Sequence, residues 1–331
     1  MTQFILRKKI NIKSFENYIS PAQKTNQFAN YGSAVRLLEA RARKMLQVDD
    51  SKAVIATSSG SSAHHAIIWG LQKAEQSAFR TMTQAFTFPS TAQGPSVMAI
   101  QCDFDSELNI HIDSLPVKSS PVALCVTNCF GHLQNLNYIE SKLQDNMYLV
   151  YDNAATPYSF YEGKNCINYG VASFVSLHHT KPIGFGEGGL AIIDKKFEKT
   201  VRESVNFGMD EDKNFTEAGS NCKMSEISAA AILQWWDQFD IDELAEQYRS
   251  NYYDLKYELR EENASSYPHY GDENFFPSCL PLIYLDSSGK KNISDIDKKY
   301  DVAKYYKPLS DRHIVSNDLY NRIICYGIAN E

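Results

Sequence analysis

The 331-residue sequence has no apolar run near the roughly 18 residues a membrane-crossing helix requires, and its start lacks the long apolar stretch of a secretory signal. A cytoplasmic protein is expected. Basic residues are in deficit: 33 Lys and Arg stand against 40 Asp and Glu, a net charge of −7, and no Lys/Arg block breaks the acidic background. That argues against a general binder of nucleic acid or of anionic membranes. Cysteine is sparse and unpatterned. The seven thiols (Cys102, Cys125, Cys129, Cys166, Cys222, Cys279 and Cys325) are odd in number, sit mostly in apolar runs and never form Cys-x-x-Cys. They read as reduced core residues rather than a disulfide framework or a metal site. Repeats and low-complexity tracts are also missing.

What is present is ordinary globular material. Apolar residues make up 43% and charged residues 22%, and 20 Tyr, 17 Phe and 3 Trp are enough for a sizeable core. The length suits one large α/β domain plus a smaller one. Ala34, Leu38, Ala42 and Met45 recur at helical spacing after the turn Asn30-Tyr31-Gly32-Ser33, and the organised fold is predicted to begin there. Short apolar runs follow at 53–57, 97–101, 122–127, 148–151, 171–176 and 190–193, with helix-length segments between several of them. This alternation predicts a largely parallel sheet flanked by helices. From Ser225 the pattern turns helical through Trp236, and a long helix from Ile241 to Leu259 is predicted to lead into a small α+β lobe. The expected division is a leading segment 1–29, a large domain 30–237 and a small, shortened domain 238–331.

In parallel sheets ligands sit beyond the carboxyl ends of the strands, so polar residues directly after apolar runs carry the interest. Ser58-Ser59-Gly60-Ser61-Ser62 opens a helix and is either a plain cap or a phosphate seat; no Gly-Lys-Ser/Thr follows, so it is not a Walker loop. Asp152 ends an apolar run; it either caps the next turn or holds a metal or a cationic ring nitrogen. Lys181 lies between the run 173–177 and the glycine-rich Gly184-Phe185-Gly186-Glu187-Gly188-Gly189. It is either a loop lysine on the surface or a desolvated amine able to form a Schiff base. His178 and His179 beside it lack the carboxylates or thiols of a metal set. The stretch Gly219–Ser225 reads as a loop ending in a helix cap. An anion cradle, a carboxylate at a strand end and a trapped lysine together match the needs of pyridoxal 5'-phosphate: a phosphate seat, a ring-nitrogen partner and an amine.

On these residues the chain resembles the DegT/DnrJ/StrS sugar aminotransferases, which have the aspartate-aminotransferase fold (fold type I). Ser58-Ser59-Gly60-Ser61-Ser62-Ala63 is similar to the family's Ser-x-Gly-Thr-x-Ala turn, Thr87-Phe88-Pro89-Ser90-Thr91 to its Thr-Phe-x-x-Thr, and Cys102-Asp103-Phe104-Asp105 to its Cys-Asp-x-Asp. Ser176–Lys181 with Glu187-Gly188-Gly189 resembles its lysine motif. Asn206-Phe207-Gly208 and Gly219–Met224 resemble two later elements.

The resemblance implies a large domain with a mixed, mostly parallel sheet, a small C-terminal α+β domain and pyridoxal 5'-phosphate as cofactor. It implies that Lys181 bonds the cofactor and then moves the donor's proton, that Asp152 pairs with the ring nitrogen, and that Phe88 stacks on the ring. Gly60, Ser61 and Ser176 would seat the phosphate, and Asn221 would reach the phosphate of a second copy, so that a homodimer shares its sites. The implied reaction moves the amino group of glutamate onto a nucleotide-linked ketosugar in cell-surface polysaccharide or glycoconjugate synthesis. Two alternatives stay open. Related sugar dehydratases carry histidine in place of the lysine. A catalytically silent regulatory or structural member is suggested by Ala155, where the family commonly has Gln or His, and by the short C-terminal region.

Overall fold

The computed structural model describes residues 3–112, 120–285 and 291–330. Its elements begin with α1 (Ile12–Thr25), α2 (Ser33–Met45), β1 (Lys52–Thr57), α3 (Gly60–Glu75), β2 (Arg80–Gln84), β3 (Ile100–Cys102) and β4 (Val122–Thr127). They continue with α4 (Leu136–Ser141), β5 (Met147–Asp152), β6 (Phe160–Tyr161), β7 (Lys164–Asn165), β8 (Ala172–Ser176), β9 (Gly189–Asp194) and α5 (Glu198–Val205). The remainder comprises α6 (Glu226–Trp236), α7 (Ile241–Glu258), β10 (Ala264–Ser266), β11 (Leu280–Tyr284), β12 (Val302–Ala303), α8 (Ile314–Arg322) and β13 (Ile323–Tyr326).

Seven strands form one sheet in the order β1-β9-β8-β5-β4-β2-β3. All neighbours are parallel except at β9, which runs antiparallel to both β1 and β8. The mixed, mostly parallel sheet expected from the alternation is therefore present. β1 and β4 are buried along their whole length, because helices cover both faces. α3 and α5 lie on one face through Ala63, Ile67, Leu71 and Val201; the other face meets α2, α6 and α7 through Leu38, Leu233 and Tyr248. A second sheet, β10-β11-β13-β12, is antiparallel throughout.

Two features differ from the sequence expectation. The apolar run 97–101 predicts a strand, yet only Ile100–Cys102 pairs, in a three-residue register with β2. Gly94 and Pro95 start a tight turn that carries through Val97 and Ala99, so Val97 and Met98 never reach the sheet and stay exposed. The residues before Asn30, expected to precede the fold, contain α1, which packs on α2 and α6. Gln3 exchanges backbone hydrogen bonds with Ala329 at 2.7 and 2.9 Å. A long-range cap also ties the helices: the fully buried Glu226 carboxylate accepts from the amides of Ala34 (2.7 Å) and Val35 (3.3 Å) at the start of α2.

Candidate active site

The site lies where the carboxyl ends of β1, β4, β5 and β8 meet the start of α3. At the end of β1 the chain turns through Ser58 and Ser59. The Ser59 hydroxyl accepts from the Ser62 amide at 3.1 Å, and its carbonyl takes the Ala63 amide. The amides of Gly60 and Ser61 find no acceptor among the described residues and lie at the positive end of a 16-residue helix. Ser58, Ser59 and Ser62 hydroxyls bond one another beside them, at 2.8 and 3.0 Å. Glycine keeps the turn's core tight at Gly60 and is required at Gly189. A Cβ on Gly60 would lie 3.2 Å from the Ser176 Cβ, and one on Gly189 would meet the Ser59 carbonyl at 2.3 Å. These two glycines let β8 and β9 approach close enough for Ser176 to flank the cradle. The small, donor-rich concavity fits a phosphate group.

Asp152 closes β5, paired in register with Phe174 of β8 two residues before Ser176. Its buried carboxylate accepts from the Ala154 amide at 2.9 Å and from the Thr127 hydroxyl at 3.2 Å. Thr127 in turn lies 2.6 Å from the Thr87 hydroxyl, so Thr87 supplies the proton of that bond. Burial raises the Asp152 carboxyl to about 6, against the lowering pull of the Ala154 amide, the Lys181 charge and the Thr127 hydroxyl. At neutral pH it is an anion with few partners, suited to a cationic ring nitrogen.

Lys181 sits in the turn between β8 and β9. Burial pulls its amine below the ordinary lysine range, while Asp152, Cys279 and Cys129 oppose the shift. The turn is closed by backbone bonds from His179 to Gly186 (2.8 Å), Lys181 to His178 (2.9 Å) and Gly184 to Lys181 (2.9 Å). A desolvated amine facing a carboxylate beside an anion cradle is a constellation that can bond an aldehyde and shuttle a proton.

The structure thus brings Gly60, Ser61, Ser176, Asp152 and Lys181 to one place. Phe88 stands on the rim, 57% exposed, directly after Thr87; its carbonyl is held by the Thr91 hydroxyl at 3.3 Å. Asn221 is exposed on the far side of the cradle, one residue before Cys222, whose carbonyl accepts the Ser58 amide at 2.8 Å. Beside it the Lys223 ammonium bonds the Asn206 side chain at 2.7 Å. All seven cysteines are buried and free. Ala155 is buried next to Asp152 with a methyl in place of any polar group.

Several site residues escape sequence reasoning. Thr127 ends β4, and the strand-end rule that singles out Asp152 would have found it too. Tyr306 stacks on Phe130 (centroids 5.5 Å apart, planes 11° apart) and meets Phe86 edge-on, and burial, with the nearby Cys129 and Asp152, pushes its phenol up. The segment that carries it docks on the end of β2 through the Leu309 amide and the Ala85 carbonyl at 2.9 Å. No local pattern marks Cys129 and Cys279 as neighbours of Lys181.

Comparison with known proteins decides the lineage: residues 10–292 match the DegT/DnrJ/EryC1/StrS aminotransferase family. The chain belongs to this family. Its members use pyridoxal 5'-phosphate, and the cradle, Asp152 and Lys181 fit that cofactor. A curated relative, dTDP-4-amino-4,6-dideoxy-D-glucose transaminase from Shigella dysenteriae, is 28% identical over 120 residues, 36% of this chain and 33% of the relative. The match therefore spans about a third of that enzyme's length. Among solved structures, the sugar aminotransferase CalS13 from Micromonospora echinospora superposes with a TM-score of 0.78 at 18% identity, covering 99% of this chain and 95% of that one. GDP-4-keto-6-deoxy-D-mannose-3-dehydratase from E. coli, solved with bound hydrated pyridoxal phosphate, superposes at 0.76 with 16% identity, covering 99% and 96%. At such identities the structures share the fold alone. No helix among the described residues is long and apolar enough to cross a membrane.

Proposed function

We propose that this protein transfers the amino group of glutamate to a ketosugar carried on a nucleoside diphosphate, as a step in making a surface polysaccharide or glycoconjugate. The observation that carries the proposal is Lys181: a desolvated lysine opposite Asp152, next to the phosphate cradle. Bound pyridoxal 5'-phosphate supplies an electron sink for the carbon that gives up its proton. Gly60 and Ser61 amides, with the Ser61 and Ser176 hydroxyls, hold its phosphate. Asp152, held by Thr127 and Ala154, keeps the ring nitrogen protonated, and Phe88 covers one ring face from the rim. Lys181 would hold the cofactor's aldehyde through its amine and would then accept and return the proton of the donor's α-carbon. Burial, which lowers the amine's proton affinity against the opposing charge of Asp152, favours its neutral, nucleophilic form relative to an exposed lysine. Asn221, exposed beside the cradle, would reach the phosphate of a second copy, so that each site of a homodimer draws on both chains.

The test is an assay of protein loaded with pyridoxal 5'-phosphate, using glutamate and a panel of dTDP-, UDP- and GDP-linked 3- and 4-ketosugars. Release of 2-oxoglutarate matched by one amino sugar is the expected outcome. Loaded protein that releases no 2-oxoglutarate with any member of the panel overturns the reading. Loss of water from a ketosugar without amine transfer would reassign the chain to dehydration, which Lys181 argues against.

A further inference from the structure

The turn that bears Lys181 is fastened from outside by a second lysine. The Lys8 ammonium donates to the carbonyls of His179 (2.7 Å), Lys181 itself (2.6 Å) and Gly184 (2.5 Å), using all three of its N–H groups. The neighbouring carbonyls are taken by α6: the Trp235 indole donates to Pro182 at 3.0 Å and the Trp236 indole to Ile183 at 2.7 Å. Each of these carbonyls is therefore held by a side chain that lies far away in sequence. Lys8 also lies over the Trp235 ring, 5.4 Å from its centroid. The backbone just after it is strapped to α6 and the turn that follows α6. The Asn11 amide donates to the Gln234 side chain at 2.7 Å, and the Gln238 amide group donates to the Lys9 carbonyl at 3.2 Å.

We propose that Lys8 is a positioning residue for Lys181: its ammonium clamps the carbonyls on either side of the catalytic lysine and fixes where that amine meets the cofactor. The inference rests on the assignment of Lys181 made above. A short turn rich in glycine neighbours has no regular structure to hold it, and a loose turn would spread the Lys181 amine over many positions. Burial lowers the Lys8 amine to about 7, so its donation to three carbonyls is charge-assisted in the protonated form, and it adds rigidity to that of the turn's own backbone bonds. Lys8 lies before residue 10, where the family match begins, so the clamp comes from a segment outside the matched span.

The variants are Lys8→Met, which keeps the stem and removes every donor, Lys8→Arg, which restores charge and donors, and Lys9→Met as an exposed control. Two readouts apply. One is hydrogen exchange of the His179, Lys181 and Gly184 amides in protein free of cofactor; the other is the rate at which added pyridoxal 5'-phosphate becomes trapped on Lys181 by borohydride, located by peptide mass spectrometry. Lys8→Met is expected to speed exchange at these amides about tenfold or more, with β4 unchanged, and to slow trapping about tenfold. Lys8→Arg should recover part of both, and Lys9→Met should alter neither. Should Lys8→Met prove insoluble, Lys8→Gln, with its shorter neutral donor, takes its place under the same expectations. Wild-type exchange, or wild-type trapping despite faster exchange, overturns the proposal. Trapping of wild-type protein on a lysine other than Lys181 overturns it by a separate route, since it removes the assignment of Lys181 itself.

Discussion

At the scale of single residues, the site stores an electrostatic cost in Asp152. Its carboxyl titrates at about 6 in the folded protein, above the ordinary 3.8, because burial penalises the charge more than its partners repay. The folded state binds this proton more tightly than the unfolded state, so stability falls as pH rises between about 4 and 6, and the full penalty is present above that window. Asp152→Asn mimics the protonated form. We expect it to stabilise the cofactor-free protein at pH 7 by up to about 3 kcal/mol, since a tenfold change in proton affinity is worth about 1.36 kcal/mol, and to give no gain below about pH 4. Denaturant melts of the two proteins at pH 7 and pH 4 check the sign; a wild-type protein more stable than the variant at pH 7 contradicts it. The same substitution removes the anion proposed to pair with the ring nitrogen, so activity should fall while stability rises. Such opposition is expected where a protein keeps a strained charge for function.

At the scale of elements, the cradle depends on how closely two strand ends approach one helix start. β8 reaches Gly60 through Ser176, and β9 reaches Ser59 through Gly189. Gly60→Ala adds a methyl 3.2 Å from the Ser176 Cβ and 3.3 Å from its Cα, so β8 must yield by a few tenths of an ångström. The helix itself gains from alanine, and the net change in stability should be small. Cofactor affinity should weaken about tenfold, because the amides at the helix start shift against the phosphate. A titration of cofactor-free protein with pyridoxal 5'-phosphate measures it; unchanged affinity would show that the phosphate is seated elsewhere. The strand, turn and helix of this element are legible in the sequence, since a β-branched run, a serine-glycine turn and helical spacing are all local signals. The start of the helix is less so. The serine-glycine turn announces a helix without fixing its first residue, and the Ser59 cap starts it at Gly60.

At the scale of the whole molecule, segments from both ends of the chain converge on the sheet. α1 and the strand-like contact at Gln3 lie against α6 and Ala329, and the segment through Tyr306 and Leu309 closes over the end of β2. The proposed second copy extends this convergence between chains. If Asn221 serves the partner's site, Lys181→Ala and Asn221→Ala proteins should each be impaired alone, and mixing them after partial dissociation should restore activity. A mixed dimer then holds one complete site of two, giving about a quarter of wild-type activity under random exchange. No recovery above the sum of the separate variants would count against a shared site.

The sequence by itself determined most of the order of elements and pointed to the candidate reacting groups. Gly60, Asp152, Ser176 and Lys181 each follow an apolar run, and strand-end placement is written in local hydrophobic pattern. It could not determine which distant strands are neighbours: β9 pairs with β1 from Lys52 to Asp194, and β4 with β2 from Arg80 to Val122, across long stretches of intervening chain. Nor could it reveal the roles of Lys8 or Glu226, whose partners lie far along the chain; Lys8 and Lys181 are 173 positions apart, and Glu226 and Ala34 are 192 apart. Such roles leave no periodic trace, because a lysine that clamps a distant turn is spelled the same way as one that dissolves in water. Only the packed chain, by removing that water, decides between them.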